Sequence, residues 1–256
     1  MNYLYRWLDH FHRNRQARPE PDWDAPINLA PEIVAPLVRS LEQFHLGDGG
    51  GPASLIAWNA ESFRSSSDGV RRLVDLWFEE EKEHSRLLLN AVKRFGGRPI
   101  TGHWSFSVFC WVRRWFGVGF ELTVLLLTEI VSTVYYRLLR RHGRDPALRA
   151  MCRLIIRDEV GHVAFHRDRL ARNRTSYGPF WEIRFRTLGW AAATMLWLNH
   201  AAALKTLGAT RAEFCREIRR ELTLFIARLR REARERGGLA PCPAAAFNPD
   251  AGICSP

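Results

Sequence analysis

Apolar residues recur along this chain at spacings of three and four, and no stretch alternates in the manner of a half-buried strand. The clearest stripe lies toward the C-terminus, where Phe214, Ile218, Leu222, Phe225 and Leu229 share one helical face. Stop and start signals divide the rest. Pro31 opens a segment through Leu46, closed by Gly47-Asp48-Gly49-Gly50-Gly51, and Pro52 opens another that runs to Arg64. Asp68 is an N-cap for a helix through Phe95, which Gly96-Gly97 and Pro99 end. A long apolar helix follows, with a kink expected at Gly117 and Gly119, and finishes at His142-Gly143. Asp145-Pro146 supplies an N-cap and a proline in the first turn for a helix to Arg172. A further apolar helix spans Pro179 to Leu207, and the capping box Thr210-x-x-Glu213 starts a last one to Arg236.

These elements predict an all-α protein: four bundle helices within residues 31–174 and additional packing helices over 175–236. Residues 1–30 read as an N-terminal extension. Residues 237–256 read as an unstructured tail because of Pro241, Pro243, Pro249 and Pro256.

Composition changes this picture little. The hydrophobic fraction of 46% over 256 residues is that of a globular protein with a sizeable core. The net charge of +11 invites a nucleic-acid reading, but only Lys82, Lys93 and Lys205 among 38 basic residues are lysine, a coding bias toward arginine. No recognition motif accompanies the charge, so nucleic acid is not an expected partner. Five cysteines without a C-x-x-C exclude a disulfide framework and a zinc or rubredoxin-type knot, and make a reducing cytoplasm the default. Met1 to Trp23 lacks the apolar core of a signal peptide. Two apolar runs invite a membrane reading, but Arg113, Arg114 and Glu121 interrupt Trp104–Val134, while Asn199 and His200 fall within Leu188–Leu204. Both read as core helices rather than integral membrane segments. The basic, Trp-rich surface leaves room for a peripheral membrane contact.

The chemistry is concentrated in Glu80-Glu81-Lys82-Glu83-His84 and Arg157-Asp158-Glu159-Val160-Gly161-His162. Glu-x-x-His puts both side chains on one helical face a turn apart. With 17 Glu and nine His in 256 residues, chance supplies roughly 0.6 such pairs, and this chain has a third at Glu42–His45. Depth decides more than count. Glu159 lies 13 residues past Pro146, and Glu129 lies 13 residues before His142, so the two share one level on neighbouring helices. Glu129 sits among Leu125, Leu126, Leu127 and Ile130, where a lone carboxylate is costly and must be paired or hold a metal. Arg137 is the competing partner for it. Glu81 lies 13 residues past Asp68, so a partner is expected near residue 50 or 51. Asp48 comes closest, with Glu42 as the alternative if the first helix runs on. Glu80 and Asp158, each directly before a motif glutamate, are placed to reach the histidine of the opposite motif and fix its tautomer.

Together these segments resemble the ferritin-like di-iron carboxylate proteins, such as rubrerythrin and the soluble desaturases, over about Leu41 to Asp168. Asp158-Glu159-Val160-Gly161-His162 is similar to the family's D-E-x-x-H, Glu80-Glu81-Lys82-Glu83-His84 to its E-E-x-x-H, and Glu129 to its isolated third-helix ligand. The resemblance implies that Glu81, His84, Glu129, Glu159 and His162 hold two irons, with Glu81 and Glu159 bridging. Asp48 stands where the first-helix carboxylate belongs; an aspartate there is the family's minority choice. Glu83 and Gly161 replace the arginine often found before each motif histidine, and Leu88 replaces the radical tyrosine of the reductase subunits.

Such a site implies two iron ions, manganese or a mixed pair being compatible with the same ligands, and dioxygen as co-substrate. The implied activity is an oxygen-activating oxidoreductase acting on an unidentified organic substrate, supplied by an electron-donor protein. A ferroxidase-type or non-enzymatic iron-binding bundle is the alternative, and a homodimer is compatible with either.

Overall fold

A computed structural model describes residues 3–16, 18–49, 54–172 and 177–237. Among the described residues there are nine helices and no strand. They are α1 (Tyr3–Gln16), α2 (Pro31–Gly49), α3 (Ala60–Arg64), α4 (Asp68–Arg94), α5 (Trp104–Trp115), α6 (Val118–His142), α7 (Pro146–Arg172), α8 (Pro179–Leu207) and α9 (Arg211–Gly237). The expected unstructured tail beyond Gly237 lies outside the described residues, as does Pro52.

Most boundaries follow from local chemistry. Ser67, rather than Asp68, caps α4: its hydroxyl accepts from the Val70 N–H at 3.1 Å. Asp145 caps α7 by accepting from the Leu148 N–H at 2.9 Å, and its second oxygen binds Arg94 at 2.8 Å, which fastens α4 to the α6–α7 turn. Thr210 caps α9 through the Glu213 N–H, but the Glu213 carboxylate turns to Arg141 and His142 instead of closing the box. The long apolar helix expected through Gly117 is two helices. Gly117 has φ +78°, a left-handed conformation that breaks the ladder, and Asn59 Oδ1 accepts from the freed Val118 N–H at 2.7 Å. The helix expected from Pro52 shrinks to α3.

Packing is pairwise. α2 lies along α4, α6 along α7, and α4 meets α7 across the middle; α8 covers α2 and α6, while α9 covers α6 and α7. The larger core is made of aliphatic side chains from α2, α4, α6 and α7, closed by Phe214, Ile218, Leu222 and Phe225 of α9. A second core forms where α1 lays Tyr3, Trp7 and Phe11 against Leu73, Trp77 and Phe165. The N-terminal extension is thus an integral helix of the fold. By length and composition α6 alone, among the described residues, is apolar enough to cross a membrane, yet 67% of its apolar window is buried in protein. Of the charges that interrupt the α5–α6 run, Arg113 and Glu121 are a buried pair at 2.9 Å, and Arg114 is exposed. Glu121 also accepts from the Ile56 and Ala57 N–H groups, so one carboxylate pins α5, α6 and the strand-free segment before α3.

Candidate metal centre

α4 and α7 present their Glu-x-x-His faces to each other. Glu80 and Glu81 point inward with His84, and Asp158 and Glu159 with His162; both imidazoles are fully buried. The adjacent carboxylates cross between the helices. His84 Nε2 is 3.2 Å from Asp158 Oδ2, and His162 Nε2 is 2.9 Å from Glu80 Oε2. With each Nε2–H donating outward, each Nδ1 is left facing the inner cluster.

That cluster has two overlapping groups of ligand atoms. Asp48, Glu81 and His84 form one, and Glu81, Glu129 and His162 the other; within each, the atoms lie within 4.8 Å of one another. Two carboxylates serve both histidines. Glu81 is 3.4 Å from His84 Nδ1 and 3.1 Å from His162 Nδ1, while Glu159 is 4.0 Å and 3.8 Å from the same atoms. Glu129 reaches His162 Nδ1 at 3.3 Å.

The expected ligands therefore converge, Asp48 among them. It lies at the end of α2 rather than on a loop, because α2 runs on through Gly47 to Gly49. Glu42 sits elsewhere, accepting from the Arg98 N–H at 3.0 Å, and His45 binds Ser85 at 2.9 Å. Arg137 is no partner for Glu129: it pairs with Glu221 of α9.

The donor set suits a pair of hard-to-borderline cations. Four carboxylates and two imidazoles offer oxygen and nitrogen ligands with enough negative charge for two divalent ions. Two buried atoms in the cluster, His84 Nδ1 and Glu159 Oε2, have no hydrogen-bond partner and are available as ligands. Protonation shows the same deficit of positive charge. Burial, reinforced by Glu81, pushes the Asp48 carboxyl well above its ordinary range, and burial with Glu129 does so for Glu159. Burial alone would disfavour the charged imidazoles. Asp158 and Glu81 nonetheless raise His84 to about 10, and Glu129 and Glu81 raise His162 well above its usual value. Asp158 resists its own burial through His84 and Arg18 and falls to about 2.

Apart from Trp77, the residues that complete the surroundings are ones that sequence reasoning passed over. From the N-terminal segment, Arg18 contacts Asp158 at 2.9 Å, and Asn14 donates to it at 3.3 Å. Trp7 donates to Asp168 at 2.9 Å, and Trp77 donates to Glu81 at 3.2 Å. Ser132 donates to Glu159 at 3.2 Å. The available signal was Tyr3, Trp7 and Phe11 at helical spacing, hidden among charges. Their helix also bears on Gly161: a Cβ there would come within 2.6 Å of His10 Nε2, so a side chain before His162 would require the His10 ring to move.

A cavity of about 410 Å³ adjoins the cluster. Asp48, Glu81, Glu129 and Glu159 form its polar end, and Phe106, Phe109, Phe120, Val124, Leu188 and Met195 belong to its apolar walls on α5, α6 and α8. Trp77, Phe78 and Leu125 line it too, whereas Leu87 and Val163 belong to the core.

No protein-family model, curated protein or solved structure matches this chain.

Proposed function

We propose that this chain is a ferritin-like di-metal carboxylate protein that binds two irons and oxidises an apolar organic substrate with dioxygen. In this reading α2, α4, α6 and α7 are the four-helix bundle, and α8 and α9 are additions that wall the substrate space. The carrying observation is the double coverage of both Nδ1 atoms by Glu81 and Glu159, an arrangement suited to two bridging carboxylates. When bound, the metal pair would supply the electrons and the coordination sites for dioxygen chemistry.

The protein's own groups do the rest. Asp158 and Glu80 hold the two imidazoles in one tautomer, and Trp77 and Ser132 steady Glu81 and Glu159 through hydrogen bonds. The apolar walls exclude water from the face of the cluster that a substrate would approach. The cavity favours an organic substrate over the iron-handling alternative, because hydrated ferrous ions gain nothing from a passage lined by phenylalanine and leucine.

Metal analysis of protein refolded or expressed with iron tests the proposal. The expected result is about two irons per chain, with a near-ultraviolet charge-transfer band on exposure to air. Protein that retains no metal, or a single zinc, sinks the reading. Uptake of iron far beyond the two sites would favour the iron-handling alternative.

A further inference from the structure

Helix α5 carries apolar residues on two opposite faces. Phe106, Phe109 and Val112 line the cavity. Trp104, Trp111 and Trp115 recur at helical spacing on the other face, 55%, 58% and 64% exposed. Trp58 and Phe116, 75% and 59% exposed, lie beside its C-terminal end, where the Trp58 N–H donates to the Arg114 carbonyl at 3.1 Å. Single exposed apolar residues are ordinary on a protein surface, but this many large ones on and beside one helix mark an interaction surface.

Charge and residue type select the partner. Between Glu83 and Glu121 the chain has no acidic residue, and Lys93, Arg98 and Arg114 in that stretch are exposed. A second copy of this chain would bring a net charge of +11 toward a like charge. An anionic lipid surface would attract it. Tryptophan, with its apolar ring and polar N–H, is enriched at the level of lipid headgroups, and an arginine beside it can keep its charge in water while its stem lies along apolar surface.

We propose that the outer face of α5, with Trp58 and Phe116, seats on an anionic lipid surface. The helix then lies in the interfacial plane with its tryptophans among the headgroups and Arg114 on their phosphates. Its inner face remains the wall of the cavity, which places that space directly behind the membrane contact. This docking requires no metal, so its failure and the failure of the metal reading are independent.

Flotation of the full chain with phosphatidylcholine vesicles, with and without a quarter of phosphatidylglycerol, tests it. Wild type should float with the anionic vesicles and only weakly with the neutral ones. The combined substitution Trp104→Ser, Trp111→Ser and Trp115→Ser changes exposed positions only, and should lower partitioning by about tenfold or more while metal content stays unchanged. Circular dichroism checks the fold of this variant. Arg114→Glu, which leaves every tryptophan in place, is a second variant and should weaken binding to the anionic vesicles alone. Absence of flotation, flotation indifferent to lipid charge, flotation undiminished in both variants, or a wild-type dimer that the tryptophan variant dissolves would each overturn the proposal.

Discussion

Glu80 of α4 accepts from His162 of α7 at 2.9 Å, and this contact turns the opposite ring nitrogen toward Glu81 and Glu129. Asp158 does the same for His84 in the reverse direction. Neither acid belongs to the inner cluster, yet each sets which nitrogen is free to bind. Glu80→Gln and Asp158→Asn keep the side-chain shape while removing the charge that makes each imidazole basic. Each variant should bind manganese(II) or iron(II) roughly 10- to 100-fold more weakly than wild type, without loss of helix content. Competition against a chelator measures this; unchanged affinity would mean that the imidazoles are not ligands.

The two groups of ligand atoms share Glu81 but differ in Asp48 and Glu129. Asp48→Ala and Glu129→Ala should therefore each reduce metal content toward one ion per chain. Glu42→Ala should leave the content unchanged, because Glu42 serves the Arg98 N–H far from the cluster's donors. Elemental analysis of the three purified variants distinguishes these outcomes. Metal loss in Glu42→Ala but not in Asp48→Ala would move the first-helix ligand to Glu42.

Acid–base behaviour should separate the metal-free from the loaded protein. His84 is raised from an ordinary 6.5 to about 10 in the folded chain. Its contribution to stability is thus complete below 6.5 and disappears as pH rises toward 10. His162, also raised, acts in the same direction. Metal-free protein should lose stability between pH 7 and pH 9, by at most about 1.4 kcal/mol per pH unit for each proton involved. Loaded protein should show a flatter profile over that range, since the ions take the place of the protons, and metal binding at neutral pH should release protons. Denaturant titrations with and without metal, and calorimetry in buffers of different ionisation enthalpy, check both parts.

The legible parts of this protein were those governed by neighbouring residues. Asp145-Pro146 and Thr210-x-x-Glu213 start helices where their chemistry dictates, and the equal depth of Glu129 and Glu159 follows from helix rise alone. Asp48 was reached by the same reasoning from a wrong premise. The depth rule assumed a preceding helix ending near Arg64, whereas α2 ends at Gly49 and only a short α3 follows. The illegible parts depended on distant partners. Charges in the first residues conceal the stripe of Tyr3, Trp7 and Phe11, whose burial is settled by Phe165 and Trp77 far along the chain. The separation of α5 from α6 turned on whether Gly117 adopts a positive φ, and Asn59 and the buried Arg113–Glu121 pair stabilise that break.

His200, on the wall of the cavity, provides a prediction outside the carboxylate–histidine cluster. It is buried on α8, bonded through Nδ1 to the Ser40 hydroxyl at 2.9 Å, and its ring lies 4.6 Å from Phe44 and 5.3 Å from Tyr135. Burial lowers it to about 3, so the folded chain keeps it neutral where the unfolded chain would bind a proton. Stability from this group is present above 6.5 and is lost as pH falls toward 3. His200→Gln retains a hydrogen-bonding side chain that does not titrate. It should flatten the acid side of the stability profile by up to one proton's worth, about 1.4 kcal/mol per pH unit, while leaving the alkaline side unchanged. The comparison is made by urea titration of both proteins between pH 4 and pH 9; an acid limb of equal slope in the two would show that His200 takes up its proton without unfolding.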